Sequence, residues 1–481
     1  MAGVIVWFRR DLRLADHPAL AEAAARGDAV LPLYIDHPTA AWPPGAASRW
    51  WLHHSLQALQ ERLAGLGAEL VVRRGEPART LIELSRRHHI DAVLWNRRCE
   101  PDEVACDRAV LKALGEAGIA ARGFDADLLI EPRQLLKADG GPYRVFTPFW
   151  KALQQRLGEP LPLAAPAALT GIAAGDGVGI DALGLLPDRP WDAGLHAAWE
   201  PGEAGAHRRL RALLDGPLAD YPRQRDLPDR AGTSRLSPHL HFGELGPRQA
   251  WYAVRAWAAE HRGAGHAAAA ESWLRQLAWR EFARHLLFHF PETAETPLDR
   301  RFLHYPWSTH YREALHAWQR GRTGIPIVDA GMRELWHTGW MHNRVRMLAA
   351  SLLTKNLRIP WLEGARWFWD TLVDADLADN TLGWQWVAGC GADAAPYFRI
   401  FNPVLQGERF DPRGEYVRRW VPELRALPDA WIHRPFDAPA DVLAEAGIEP
   451  GRDYPHPIVD LAASRRAALG AWDAIKTEAR R

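Results

Sequence analysis

The first 125 residues alternate five short β-rich runs with amphipathic stretches whose apolar residues recur at helical spacing. The runs are VIVWF (4–8), AVLPLYI (29–35), AELVVRR (68–74), DAVLWN (91–96) and IAARGF (119–124). Strand alternating with helix in this way predicts a parallel, doubly wound, Rossmann-like α/β sheet. After the first run the chain reads FRRDLRLADH, without GxGxxG, so a standard dinucleotide fingerprint is excluded.

From Gly158 to Pro190 the composition turns to Gly, Ala and Pro, which reads as a linker wrapping between domains. From Glu203 onward helix follows helix, predicting a larger all-α second domain. The expected division is an α/β domain over 1–130, a connecting segment over 131–202 and a helical domain over 203–481. The chain holds 59 basic and 59 acidic residues, and the part after Asp220 is net +3, so a polyanion would have to be held by a local patch. Three cysteines without a CxxC pair exclude a disulfide framework and a structural zinc site and favour a reducing compartment. The N-terminus does not read as a secretory signal and no apolar run spans a bilayer, so a cytoplasmic monomer is expected. Of 24 tryptophans, sixteen follow residue 220, an aromatic density beyond ordinary packing needs.

Four stretches of the helical part carry candidate chemistry. GTSRLSPHLHFGEL places Thr233, Ser234, Arg235 and Ser237 ahead of a helix, a pattern suited to a phosphate, although a plain N-cap explains it too. ESWLRQLAWREFARHL puts Trp273, Gln276, Trp279 and Arg280 on one stripe, suited either to stacking on flat bases or to a buried aromatic face. WMHNRVRMLAASLLTK sets Asn343, Arg346 and Met347 on one face, as a buried amide and guanidinium in need of partners. In DADLADNTLGWQWVAG, Asp376, Asn380 and Trp384 recur every four residues and would share a face of a regular helix. The last stretch lacks the glycine and terminal glutamate of a calcium loop, and its carboxylates, amide and tryptophans fit a polar heterocycle better.

Taken in order, VIVWFRRDLRLADHPAL, GTSRLSPHLHFGEL, LAWREFARHLL, TGIPIVDAGMRELWHTGWMHNRVRM, DADLADNTLGWQWVAG and DAAPYFRIFNPVLQGERFDPRGEYVRRWVPEL resemble the DNA photolyase and cryptochrome family over nearly the whole chain. The resemblance is to cyclobutane-dimer photolyases of bacterial class I type. It implies an N-terminal antenna domain and a helical domain that binds FAD, active in its reduced, anionic form, with light-driven repair of pyrimidine dimers in DNA. By motif, Tyr221, Thr233, Ser234, Arg235, Leu236 and Ser237 would hold phosphates and ribose. Asn343, Arg346, Asp374, Asp376 and Asn380 would surround the isoalloxazine, with Asn380 accepting a hydrogen bond near N5. Trp384, Trp361 and Trp307 match the family's photoreduction chain. Trp279, Trp386, Gln276 and Met347 would meet the flipped dimer, and Arg225, Arg280 and Arg399 the damaged strand.

Two positions depart from the cyclobutane-type pattern. Gln276 stands where those enzymes carry glutamate, and it cannot supply a proton. (6-4) photolyases also use glutamine there, but MHNRVRM lacks their histidine arrangement. Glu103 matches a folate-contacting glutamate while the lysine expected after the HFP turn is missing, with Glu292 and Glu295 nearby. Methenyltetrahydrofolate is the first expectation for an antenna, with a deazaflavin or none as alternatives. A blue-light receptor of cryptochrome type is the rival class, weighed against by the short stretch after HPIVDL. A dark flavin oxidoreductase would need a nicotinamide motif, and none is written.

Overall fold

The computed structural model describes residues 3–37, 41–159, 161–175, 177–261, 263, 265–394 and 398–478. It divides into two compact units. Unit one comprises Met1–Ala219, Ser234–Pro291 and Val373–Ala378, and unit two Asp220–Thr233, Glu292–Leu372 and Asp379–Arg481.

Unit one is built on five parallel strands, β1 (Gly3–Phe8), β2 (Ala29–Asp36), β3 (Val71–Arg74), β4 (Ile90–Asn96) and β5 (Ala120–Phe124), in the order β3-β2-β1-β4-β5. β1 is buried along its whole length and pairs Ile5 with Leu31 on one side and Val93 on the other. Helices Pro18–Arg26, Ala46–Gly65, Pro77–Arg87 and Pro101–Glu116 link the strands. Ile5, Leu31, Val93, Leu81 and Leu114 close one core between sheet and helices. The third strand starts at Val71, three residues later than the β-rich text suggests. Its first residues are used to end the preceding helix: Ala68 N donates to Leu63 O, and Gly67 turns at φ 94°.

The Gly/Ala/Pro segment does more than connect. Val178 N donates to Val72 O of β3, and Ile172 N to Val30 O, so it covers the rim of the sheet at its edge strand. Edge strands left bare invite pairing with other chains, and this cover removes that opening. Gly171 allows the approach, since a Cβ there would meet Gly67 O at 2.5 Å.

Helices Phe146–Arg156, Ala193–Ala198, Glu203–Asp215, Ser237–His241, Pro247–Glu260 and His266–His289 also belong to unit one. Unit two is helical, with Pro326–Thr338, Asn343–Ser351, Trp361–Thr371, Pro403–Phe410 and Leu461–Glu478 among its helices and no strand among the described residues. Its core is aromatic: Trp318 and Trp384 meet edge to face at 6.1 Å, and both contact Phe368. No helix among the described residues is long and apolar enough to cross a membrane.

Candidate functional site

In unit one the candidate residues are organised by a buried ion network. Asp376, 3% exposed, accepts from Arg284 Nη2 at 2.6 Å and meets His241 Nδ1 at 3.1 Å through the same oxygen. Its other oxygen accepts from Ala378 N at 3.0 Å, capping the helix Leu377–Ala388. Asp376 therefore stands just ahead of that helix and not on one face with Asn380 and Trp384, a correction to the four-residue periodicity. Burial acts to raise its pKa, but Arg284, His241 and Arg280 outweigh it and hold the carboxyl well below the ordinary value. His241 is itself driven down by burial, against the pull of Asp376.

The network continues through Asp127, which receives Arg98 Nη1 and Arg280 Nη2, each at 3.2 Å, and on to Glu100, held by Arg98 at 2.6 Å. Arg280 is 7% exposed and also donates to Asp127 O at 3.0 Å. Its guanidinium is thus committed inside the unit. The expectation that Arg280 meets a damaged strand runs against this placement, because reaching one would give up its bonds to Asp127, Glu281 and Leu240 O. Glu281, buried beside it, is pushed up to about 7 by loss of solvent despite Arg280 and the Leu129 N–H.

Asp374 is joined to the 233–237 loop: Ser237 Oγ donates to its carboxylate at 2.6 Å. In that loop Arg235 adopts φ 51°, a left-handed conformation uncommon for any residue but glycine, Leu236 is buried, and Ser234 Oγ accepts weakly from Leu236 N at 3.4 Å. Thr233, half-buried, precedes it in unit two.

On the helix His266–His289, Trp273 is 4% exposed and belongs to the core, whereas Gln276 and Trp279 are half-buried. Trp279 lies flat on Phe146, centroids 3.8 Å apart and planes 6° off parallel. Arg275 lies over the same Phe146 at 5.3 Å, so a cation and two rings form one stack. Gln276 turns its amide to Ser272 O at 3.4 Å.

In unit two, Asn380 Nδ2 donates to Ala365 O at 3.0 Å. Only the amide nitrogen can donate to a carbonyl, so this bond fixes the side chain with its oxygen as the remaining acceptor. Trp384 is 2% exposed, and its indole lies against Gly364 so closely that a Cβ there would overlap the ring. Gly364 belongs to the helix Trp361–Thr371, which opens on the buried Trp361. Trp307 is half-buried, its ring 4.5 Å from Tyr305. Trp386 is half-buried and carries the exposed Arg399 above its ring at 5.6 Å. Ala395, Pro396 and Tyr397 of the same motif lie outside the described residues.

Asn343 Nδ2 approaches Met347 Sδ at 3.9 Å across one turn, so the two share a face. Asn343 is exposed and not buried as the spacing suggested, because it is the first residue of its helix. Arg346 donates to Met341 O at 2.8 Å. Tyr221, 6% exposed, lies under Arg225 at 5.4 Å, and burial raises its phenol.

Glu103 lies on the helix after β4, where it accepts from Arg9 Nη1 at 2.8 Å. Arg9 follows β1, and its Nη2 donates to Asn96 O at 2.6 Å at the end of β4. β1 and β4 are the strands at which the order of the sheet reverses, and ligands of open α/β sheets bind outside the carboxyl ends of such strands.

Arg284, His241, Asp127, Arg98 and Phe146 are absent from the sequence-based candidates. Arg284 follows Arg280 by one turn of a helix already singled out, which was a usable signal. Asp127 stands in a loop and takes Arg280 from 153 positions away, and it meets Arg98 only across the intervening helix and β5, so nothing local marks it.

Residues 4–167 match the family model described as DNA photolyase, and residues 273–474 match that of the FAD binding domain of DNA photolyase. The chain is 47% identical over 99% of its length to a deoxyribodipyrimidine photo-lyase of Agrobacterium fabrum, covering 98% of that protein. It is 41% identical over 95% of its length to cryptochrome-1 of Arabidopsis thaliana, covering 68% of it. The crystal structure of a bacterial class III photolyase from Agrobacterium tumefaciens superposes with a TM-score of 0.95 at 47% identity, covering 99% of this chain and 98% of that one. That likeness does not support the class I assignment expected from the motifs. With a photolyase domain at its start, an FAD-binding domain after it and relatives aligned from end to end, the chain belongs to the DNA photolyase and cryptochrome family.

Proposed function

We propose that this protein repairs cyclobutane pyrimidine dimers in DNA under blue or near-ultraviolet light, as a class III type photolyase. The observation that carries the reading is the pairing of the half-buried Trp386 with the exposed Arg399. It offers a flat apolar face beside an exposed cation, the two things an extruded dinucleotide and its phosphate need. End-to-end identity with a deoxyribodipyrimidine photo-lyase supports the same reading.

The residues present fit FAD by the chemistry of their donors and acceptors. Thr233, Ser234, Arg235 and Ser237 offer hydroxyls and a guanidinium to phosphate and ribose, with Tyr221 and Leu236 as apolar neighbours. Asn380, its amide nitrogen held by Ala365 O, keeps a neutral oxygen that would accept from a ring N–H and so favour the reduced cofactor. Asp374, Asp376, Asn343 and Arg346 supply the remaining polar contacts. When bound, reduced FAD supplies the photoexcited electron that opens the dimer's cyclobutane ring.

Trp384, Trp361 and Trp307 carry electrons inward for photoreduction, and the close seat of Trp384 on Gly364 keeps the innermost of them from moving. Gln276 and Trp279 meet the lesion, with Trp279 held by Phe146. Met347 adds a soft contact, and Arg225 with Arg399 bind the strand. Glu103, at the reversal of the sheet order, is the antenna contact, for methenyltetrahydrofolate in the first instance. In this reading residues 1–130 serve as the antenna domain, 131–202 as the connection and 203–481 as the FAD- and DNA-binding domain of a monomer acting in the cytoplasm, a division by role that differs from the two compact units.

The test is a defined thymine-dimer oligonucleotide treated with reduced protein in light and in darkness, with a (6-4) oligonucleotide in parallel. Light-dependent loss of the cyclobutane dimer is expected. Loss of the (6-4) lesion alone would reassign the substrate, and loss of neither would leave the receptor reading, which the likeness to cryptochrome-1 keeps open.

A further inference from the structure

Lys355 is 1% exposed, and no other lysine is buried among the described residues. It stands in the π-helical turn Leu352–Asn356 that extends the helix Asn343–Ser351, a wider turn that re-aims side chains and concentrates at functional sites. Its Nζ donates to Ala388 O at 2.7 Å and lies 3.1 Å from the centroid of the Phe398 ring.

Among the described residues it forms no ion pair. The groups around it are the Cys390 thiol, which burial drives upward, and Tyr305, raised to about 12 by burial, whose ring is 6.2 Å from Phe398. Asp299 N donates to Cys390 O at 2.8 Å, and the Asp299 carboxylate adds to the upward push on the Cys390 thiol. Burial lowers the Lys355 ammonium well below the ordinary lysine value. Methionine would fill the same space without that penalty, so the amine is kept for what it holds.

What it holds is specific. Ala388 ends the helix Leu377–Ala388, so the amine meets a carbonyl at the negative end of the helix. Ala388 follows Trp386 by two residues, and Phe398 precedes Arg399 by one. We propose that Lys355 is a positioning residue for the lesion-binding surface: by gripping Ala388 O with an N–H and the Phe398 face with its cationic head, it keeps Trp386 and Arg399 in mutual contact. The inference rests on the reading that this pair meets the damaged strand.

The experiment compares the FAD-loaded wild type with Lys355→Met, Phe398→Leu and the double variant. Backbone hydrogen exchange without DNA is followed by mass spectrometry, together with affinity for dimer-containing and undamaged oligonucleotides. Each single variant should speed exchange across residues 386–401 by about tenfold and weaken dimer binding by a similar factor, the size of one well-formed contact. The yield of repair for dimer already bound should not move. The double variant should be no worse than Lys355→Met, because both changes open one clamp.

Wild-type exchange and wild-type affinity in Lys355→Met would overturn the proposal. So would exchange that rises evenly over the whole of unit two with a lower melting temperature, which is the signature of a merely structural lysine. If the wild type binds dimer no better than undamaged DNA, the reading of the surface fails, and the exchange data still decide whether the clamp exists.

Discussion

Replacing Asp376 by asparagine probes the buried network at its most committed member. The wild-type carboxylate gives one oxygen to Arg284 and His241 and the other to Ala378 N. Asparagine has a single oxygen, so whichever side it serves, an amide N–H faces a donor on the other. Removing one partner of a buried pair costs about 3–5 kcal/mol, and an isosteric amide that keeps one acceptor falls near the lower end, about 3 kcal/mol. In a chain of this size that amounts to a fall of several degrees in Tm, on the scale of roughly 2–4 °C per kcal/mol for mid-sized domains.

The pH dependence carries the sharper signature. The folded-state carboxyl is held well below its ordinary value of 3.8, so its contribution is fully present above pH 3.8 and is lost as pH falls towards the folded-state value. The Tm gap between wild type and Asp376→Asn should therefore be flat from pH 8 to 5 and close in stronger acid. Glu281, pushed up to about 7, destabilises as it ionises between its unfolded value of 4.5 and about 7. That slope is common to both proteins and largely cancels in the difference. Adding Arg284→Met to Asp376→Asn should recover most of the loss, since no uncompensated guanidinium then remains. An equal Tm at pH 7, or a gap that persists unchanged in acid, would refute the account.

Four further outcomes follow from other parts of the molecule. Gln276→Glu should raise light-driven dimer repair, because a carboxyl there can supply the proton that an amide cannot; an unchanged yield would show that the position does not limit the reaction. Gly364→Ala should overlap the Trp384 indole, lower stability by about 1–3 kcal/mol in thermal melts and slow flavin photoreduction followed by absorbance. Arg399→Ala should reduce the slope of log Kd against log salt by about 1 on damaged and undamaged duplex alike. Trp386→Ala should instead abolish the preference for dimer at an unchanged slope.

The α/β alternation was legible because each strand is buried by its own local composition: β1, β2 and β4 fall within a residue or two of their apolar runs. β3 lost its first residues to a helix end, an outcome set by the Ala68 and Leu63 pairing and not by β propensity. Arg280 shows where periodicity stops informing. Its spacing from Trp273 and Gln276 is the same whether the guanidinium faces solvent or Asp127, and only the distant loop at 127 decides.

The placement of Asp376, and Lys355 altogether, were hidden for a related reason. A carboxylate in a run of DADLAD and a lysine in LLTKN look alike to composition, yet one stands at a helix cap against an arginine 92 positions away and the other under a phenylalanine beyond the next two helices. Burial of charge is tolerable only when long-range partners are supplied, so the residues whose placement costs most are those whose neighbours say least about them. A cofactor motif announces itself through several residues in one stretch, as Asp374 to Trp386 do. The scaffold that aims those residues is written in single letters scattered over both units, and three-dimensional contact is what makes them readable.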